Sequence, residues 1–109
     1  QVEEVYRRAT EADPNYALAF FDLGNSLDEL QRLTEAIDAY KAAIRLVPKY
    51  ADAHYNLALA YERIGEQRRA LPHWMIYAQL DPLGPWSSHA RGQARRLIEA
   101  EHLQIVSRR

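Results

Sequence analysis

The chain has no cysteine among its 109 residues, which excludes disulfides, thiolate catalysis and cysteine-ligated metal. A reducing compartment, the cytoplasm, is the expectation that follows. Glycine is scarce: Gly24, Gly65, Gly84 and Gly92 stand too far apart to build a phosphate-cradling loop. No apolar run approaches the ~20 residues of a membrane-spanning helix. The opening QVEEVYRRATEADP is acidic and amphipathic, unlike a signal peptide, and a start at Gln1 suggests a piece of something longer. Charge of one sign is also missing. A net charge of -1 lacks the basic excess of a nucleic-acid or anionic-membrane binder, so neither partner is expected.

What is present is enough for one folded unit. Hydrophobic residues make up 48% and charged residues 27%, the balance of an ordinary globular domain with a single core. The prolines give the organisation. Pro14, Pro48 and Pro82 are spaced by 34 residues, and each follows a helical pattern that a proline would interrupt. Superposing 17–50 on 51–84 pairs Leu23 with Leu57, Ala36 with Ala70 and Leu46 with Leu80, and matches Phe21 with Tyr55, Gly24 with Ala58, Asp28 with Glu62 and Tyr40 with Trp74. A 34-residue unit therefore repeats.

Within the unit the period is that of a helix. Phe20, Leu23, Gly24, Leu27 and Leu30 form one apolar stripe, and Ala36, Ile37, Tyr40, Ala43, Ile44 and Val47 form another, with QRLT as the break. Each unit reads as a helical hairpin. The small residues Gly24 or Ala58 and Ala36 or Ala70 allow two backbones to approach, and Tyr40 or Trp74 fills the space beside them. A single hairpin cannot bury both faces, so stacking is required.

The pattern aromatic-x-x-Leu-Gly, then Ala-x-x-x-aromatic-x-x-Ala, then Pro, at a period of 34, resembles the tetratricopeptide repeat. Phe20, Leu23, Gly24, Leu27, Ala36, Tyr40, Ala43 and Pro48 carry it in the first full unit. In the second it rests on His54, Leu57, Ala58, Tyr61, Gly65, Ala70, Trp74 and Pro82. The resemblance implies an all-α fold, a right-handed α-solenoid of stacked hairpins. Its expected parts are the second helix of a truncated repeat within 1–16, repeats over 17–50 and 51–84, and a capping helix with tail over 85–109. Val2, Tyr6, Ala9 and Pro14 carry the half unit, and an end without its cover predicts weak homo-oligomer formation through residues 1–13. The tail is also similar to closing segments of bacterial repeat proteins, which suggests an accessory or self-association domain of a larger regulator or enzyme as the alternative role.

Four local features carry expectations of their own. Pro72 predicts a late start or a kink in the second helix of its repeat. Tyr77 replaces the small residue of Ala9 and Ala43 and is expected to push the closing helix outward. Pro85 suits the first turn of that helix, and Trp86 is expected as a core anchor with Ala90, Ala94, Leu97 and Ile98. The run Arg91, Arg95, Arg96, Arg108 and Arg109 reads as a solvated face, opposite any groove.

No residue constellation suggests catalysis, so the chain is not expected to be an enzyme. His54, His73, His89 and His102 include no pair at i, i+4, so no metal or cofactor is expected; His54 reads as packing and the others as surface or groove groups. The carboxylates are spread over helix faces. The resemblance places function in the concave groove lined by first helices. That selects Leu18, Phe21, Asp22, Asn25, Asp28 and Glu29 from one repeat, and Asp52, Tyr55, Asn56, Leu59, Glu62 and Arg63 from the next. Phe21 and Tyr55 would seat an apolar side chain while Asn25 and Asn56, both exposed, bond a peptide backbone. The lysine that a carboxylate-clamping groove needs is replaced by Phe21. With its acids, the groove implies a protein or peptide partner that is neutral or basic.

Overall fold

A computed structural model describes residues 14–107 of the chain. The truncated-repeat helix and the self-association segment expected over 1–13, with Arg108 and Arg109, lie outside the described residues. Five helices follow one another: α1 (Pro14–Glu29), α2 (Leu33–Leu46), α3 (Ala51–Arg63), α4 (Gln67–Leu80) and α5 (Ser87–Ser107). The fold is all-α. Each helix packs on its chain neighbour, α1 on α2, α2 on α3, α3 on α4 and α4 on α5, as stacked hairpins require.

The hairpins close where the sequence places its small residues. Ala36 and Ala70 are fully buried, and the Tyr40 ring lies so near Gly24 that a Cβ there would stand 2.5 Å from the Tyr40 Cε1. The core continues from Tyr40 and Ile37 through Leu57, Ala58 and Tyr61 to Trp74, Tyr77, Ala90 and Leu97. Phe20, Ala42, Ala43 and Ala53 form a second cluster around the α2–α3 junction.

The inter-helix turns repeat as well. Gly65 takes a left-handed φ of 82°, and the Glu66 amide donates to the Tyr61 carbonyl at 2.8 Å, closing the end of α3. Thirty-four residues earlier Gln31 takes φ 62°, and the Arg32 amide donates to the Leu27 carbonyl at 2.9 Å. The first repeat makes the same turn without the glycine that favours it.

Several local expectations need correction. Leu23 is 40% exposed and Leu30 lies open, whereas Leu57 is fully buried, because α3 is sandwiched between α2 and α4 while α1 packs chiefly on α2 among the described helices. The α4 start at Gln67 is not late: it matches Leu33 of α2 in register, and the helix runs through Pro72, which is exposed so that the lost backbone bond faces water. Tyr77 is absorbed into the core, its hydroxyl donating to Asp81 Oδ2 at 3.1 Å. Pro85 lies in the turn before α5 rather than in its first turn. Ala90, Ala94 and Leu97 of α5 are buried as expected, but Ile98 is half exposed.

Candidate functional site

The faces of α1 and α3 turned toward one another form a groove. Phe21 on α1 and Asp52, Tyr55 and Asn56 on α3 line one cavity of about 160 Å³, which Trp86 closes from the far end of the chain. Asn25, Asp28, Glu29, Gln31 and Arg63 line an open hollow beside it, and Leu18 and Asp52 border another with Lys49 and Tyr50. Leu59 is partly buried and packs onto the core instead of lining any of these hollows.

Trp86 was expected in the core and stands in the groove. It precedes the first residue of α5 and is 51% exposed, its ring 5.6 Å from that of Tyr55. The Gly84–Pro85 turn explains this. Ser87 is buried and its hydroxyl donates to the Gly84 carbonyl at 3.0 Å, so the packed face of the helix begins after the tryptophan.

The groove asparagines are not free. Asn25 Oδ1 accepts from the Tyr40 hydroxyl at 2.7 Å and from Asn56 Nδ2 at 2.8 Å, so the two amides are locked to one another and to the core. Burial, followed by the Asp28 carboxylate, pushes the Tyr40 hydroxyl up to about 12, which keeps it a donor. The Asn25 amide nitrogen and the Asn56 carbonyl oxygen stay available. Donor hydrogens on both amides and the Asn56 oxygen remain, so the lock removes only part of the bonding capacity that exposed side chains would have had.

Two of the expected groove acids are engaged. Asp28 pairs with Arg63. The Glu62 side chain, 15% exposed, accepts from Trp74 Nε1 at 2.7 Å, from Gln93 Nε2 at 3.1 Å and from Arg96 Nη2 at 2.7 Å. Arg96 therefore does not lie on a face opposite the groove: it reaches back from α5 to neutralise Glu62. Arg91 and Arg95 are exposed, as a solvated face implies. Asp22 and Asp52 are exposed and make no ion pair among the described residues, so the negative field concentrates at the Phe21 end.

The histidines also differ from expectation. His54 is buried, as packing requires, but His73 is no free surface group. His54 Nε2 donates to the Pro48 carbonyl at 2.8 Å, which leaves its Nδ1 to accept from His73 Nδ1 at 2.9 Å, the rings stacking 5.2 Å apart. Burial first, then His54 and Lys41, lower the His73 pKa to about 4. The pair is nineteen residues apart in sequence, beyond any spacing rule. No group of three or more residues able to hold a metal ion occurs among the described residues, and no described helix is long and apolar enough to cross a membrane.

Helical hairpins stacked so that successive first helices share a groove define an α-solenoid. Two family models match it: one described as TPR repeat over residues 24–65 and one as tetratricopeptide repeat over 5–38, together spanning 5–65, more than half of the chain. The chain belongs to the tetratricopeptide repeat family. It is 40% identical over 67 residues to the peroxisomal targeting signal receptor of Kluyveromyces lactis, covering 62% of this chain and 12% of the receptor. It is 33% identical over 71 residues to a probable UDP-N-acetylglucosamine–peptide N-acetylglucosaminyltransferase, SPINDLY, of Hordeum vulgare, covering 59% of this chain and 8% of that protein. Among solved structures, MamA superposes with a TM-score of 0.63 at 25% identity, over 85% of this chain and 63% of its own. The chain thus spans about a tenth of the length of these curated relatives.

Proposed function

We propose that this chain is a non-catalytic interaction segment that takes an extended peptide, or a protein surface of similar shape, in the groove between α1 and α3. The cavity walled by Phe21, Tyr55 and Trp86, with unpaired Asp22 and Asp52 beside it, carries this reading. A relative described as a targeting-signal receptor supports recognition rather than chemistry. The glycosyltransferase likeness touches only 8% of that enzyme. The free charges favour a neutral or basic guest, since an acidic one would meet Asp22 and Asp52. Cytoplasmic placement belongs to the same proposal and rests on the absence of cysteine.

Binding of fluorescent random heptapeptide pools, followed by polarisation, tests it. Asn56→Ala should weaken binding by about 1 kcal/mol through the lost carbonyl acceptor. Asp52→Lys should weaken it further, most at low salt. Arg91→Glu and Arg95→Glu should leave it unchanged, whereas Arg96 is unsuitable as a control because it holds Glu62. Normal binding by the groove variants with failure of the arginine variants would move the interface to α5. The accessory role within a larger protein, with weak self-association through 1–13, is tested by light scattering across a concentration series.

A further inference from the structure

The cavity beneath Trp86 has a more specific chemistry than a peptide groove needs. Its volume of about 160 Å³ is below the ~300–1,000 Å³ of small-molecule sites and suits a single long side chain. Three of its five lining residues are aromatic, and the other two, Asp52 and Asn56, each offer oxygen acceptors. One Asn56 amide hydrogen goes to Asn25, and the Asn56 carbonyl oxygen is left as an acceptor. Asp52 makes no ion pair among the described residues, although Asp28 and Glu62 in the same groove both have arginine partners.

Two of the three rings are held by the protein's own packing, while Trp86 is half exposed. Tyr55 is fixed edge-on to Trp74 at 5.1 Å and against Tyr77 at 5.0 Å, two rings that are themselves fully buried. Phe21 stacks on Tyr50 at 5.1 Å and packs 6.0 Å from Tyr40. Burial, then the carboxylates of Asp22 and Asp52, raise the Tyr50 hydroxyl, so this end of the groove carries a negative field. Rings held by the core present their π faces at little ordering cost, and a cation near such faces is attracted to the ring quadrupole.

We propose that Phe21, Tyr55 and Trp86, with Asp52 and the Asn56 carbonyl, form a pocket for one cationic side chain, arginine or lysine, of a partner peptide bound in the groove, an assignment that rests on the groove reading above. The aromatic rings hold the aliphatic stem and face the charge. Asp52 supplies the counterion and Asn56 one acceptor. An acidic side chain is excluded by Asp52, and a purely apolar one would leave that carboxylate half desolvated without a partner.

The test is a positional scan with acetylated heptapeptides whose central residue is fixed in turn as arginine, lysine, norleucine, glutamine or glutamate, the other positions being random. Binding is read by polarisation of a fluorescent label on the peptides, which does not depend on Trp86. Arginine or lysine pools should bind at least tenfold more tightly than norleucine, with the advantage shrinking as salt rises. Asp52→Asn should bring the basic pools down to the norleucine level, and Trp86→Ala should weaken them while both variants keep the wild-type melt. Norleucine binding as tightly as arginine, or a basic preference surviving both substitutions, would overturn the pocket. Should all pools bind equally and all weaken on Asn56→Ala, the groove reading stands and the cation pocket fails. If no pool binds, both fail for peptides.

Discussion

The repeats over 17–50 and 51–84 share a backbone and differ in their polar attachments. Tyr40 and Trp74 fill equivalent slots and are both fully buried, but the Tyr40 hydroxyl goes to Asn25 on α1 whereas the Trp74 indole goes to Glu62 on α3. Asp28 and Glu62 are also equivalent. The first is balanced by Arg63 of the following repeat, the second by Arg96 of the closing helix. In each case the acid is neutralised from the next unit along, so these two ion pairs tie neighbours together, while the Tyr40 and Trp74 bonds act within a hairpin. The His54–His73 pair has no counterpart, since Phe20 and Ala39 stand at the equivalent positions. Apolar spacing is what makes the units alike, and the polar residues tell them apart.

The sharpest way to break the comparison is to empty the second slot. Trp74→Ala should cost about 3–5 kcal/mol, as large buried aromatics do, and urea denaturation should show it as an early midpoint. Glu62→Gln, which keeps the volume and loses the ion pair, should cost much less. The first slot is sensitive to filling instead. Gly24→Ala puts a methyl group against the Tyr40 ring, which is fully buried and cannot retreat to solvent, and should cost about 1–3 kcal/mol. Equal tolerance of alanine at 24 and at 58, its native residue, would mean that the two hairpins close at the same distance.

A smaller effect distinguishes the second repeat by pH. His73 has a pKa of about 4 in the folded chain against an ordinary 6.5, so between these values the unfolded chain binds a proton that the folded chain does not. Its contribution to stability is complete above pH 6.5, declines as the pH falls toward 4, and then levels off. With the ring partly exposed and the shift discounted for screening, the loss is on the order of 1 kcal/mol. His73→Ala, which installs the residue of the first repeat, should flatten that part of the melting profile; an unchanged slope would place the titration elsewhere. The smallest expected change is a gain. Gln31→Gly relieves a left-handed backbone and should stabilise by about 0.5–1 kcal/mol, whereas Gly65→Ala should lose a similar amount. Thermal melts of the two variants moving in the same direction would contradict the equivalence of the two turns.

Much of the fold was legible because its signals are local. Ala36, Tyr40, Ala70 and Trp74 recur at spacings that place them on one helical face, and all are buried where expected. The groove was legible in part: Phe21, Tyr55, Asn56 and Asp52 do come together. Trp86 escaped because helical spacing from Ala90 placed it on the packed face, and only the Gly84–Pro85 turn moves it off. Arg96 escaped because nothing in its own helix reveals that Glu62 lies within reach.

By itself the sequence determined the 34-residue period, the hairpins and the small-residue contacts that close them, because each depends on residues three or four apart along a helix or at one fixed repeat distance. Only the tertiary structure decided which polar groups are engaged internally and which face the groove. The meeting of Asn25 with Asn56, His54 with His73, and Trp86 with Tyr55 depends on the rotation between stacked hairpins, a quantity set by the packing of whole faces and carried by no single spacing.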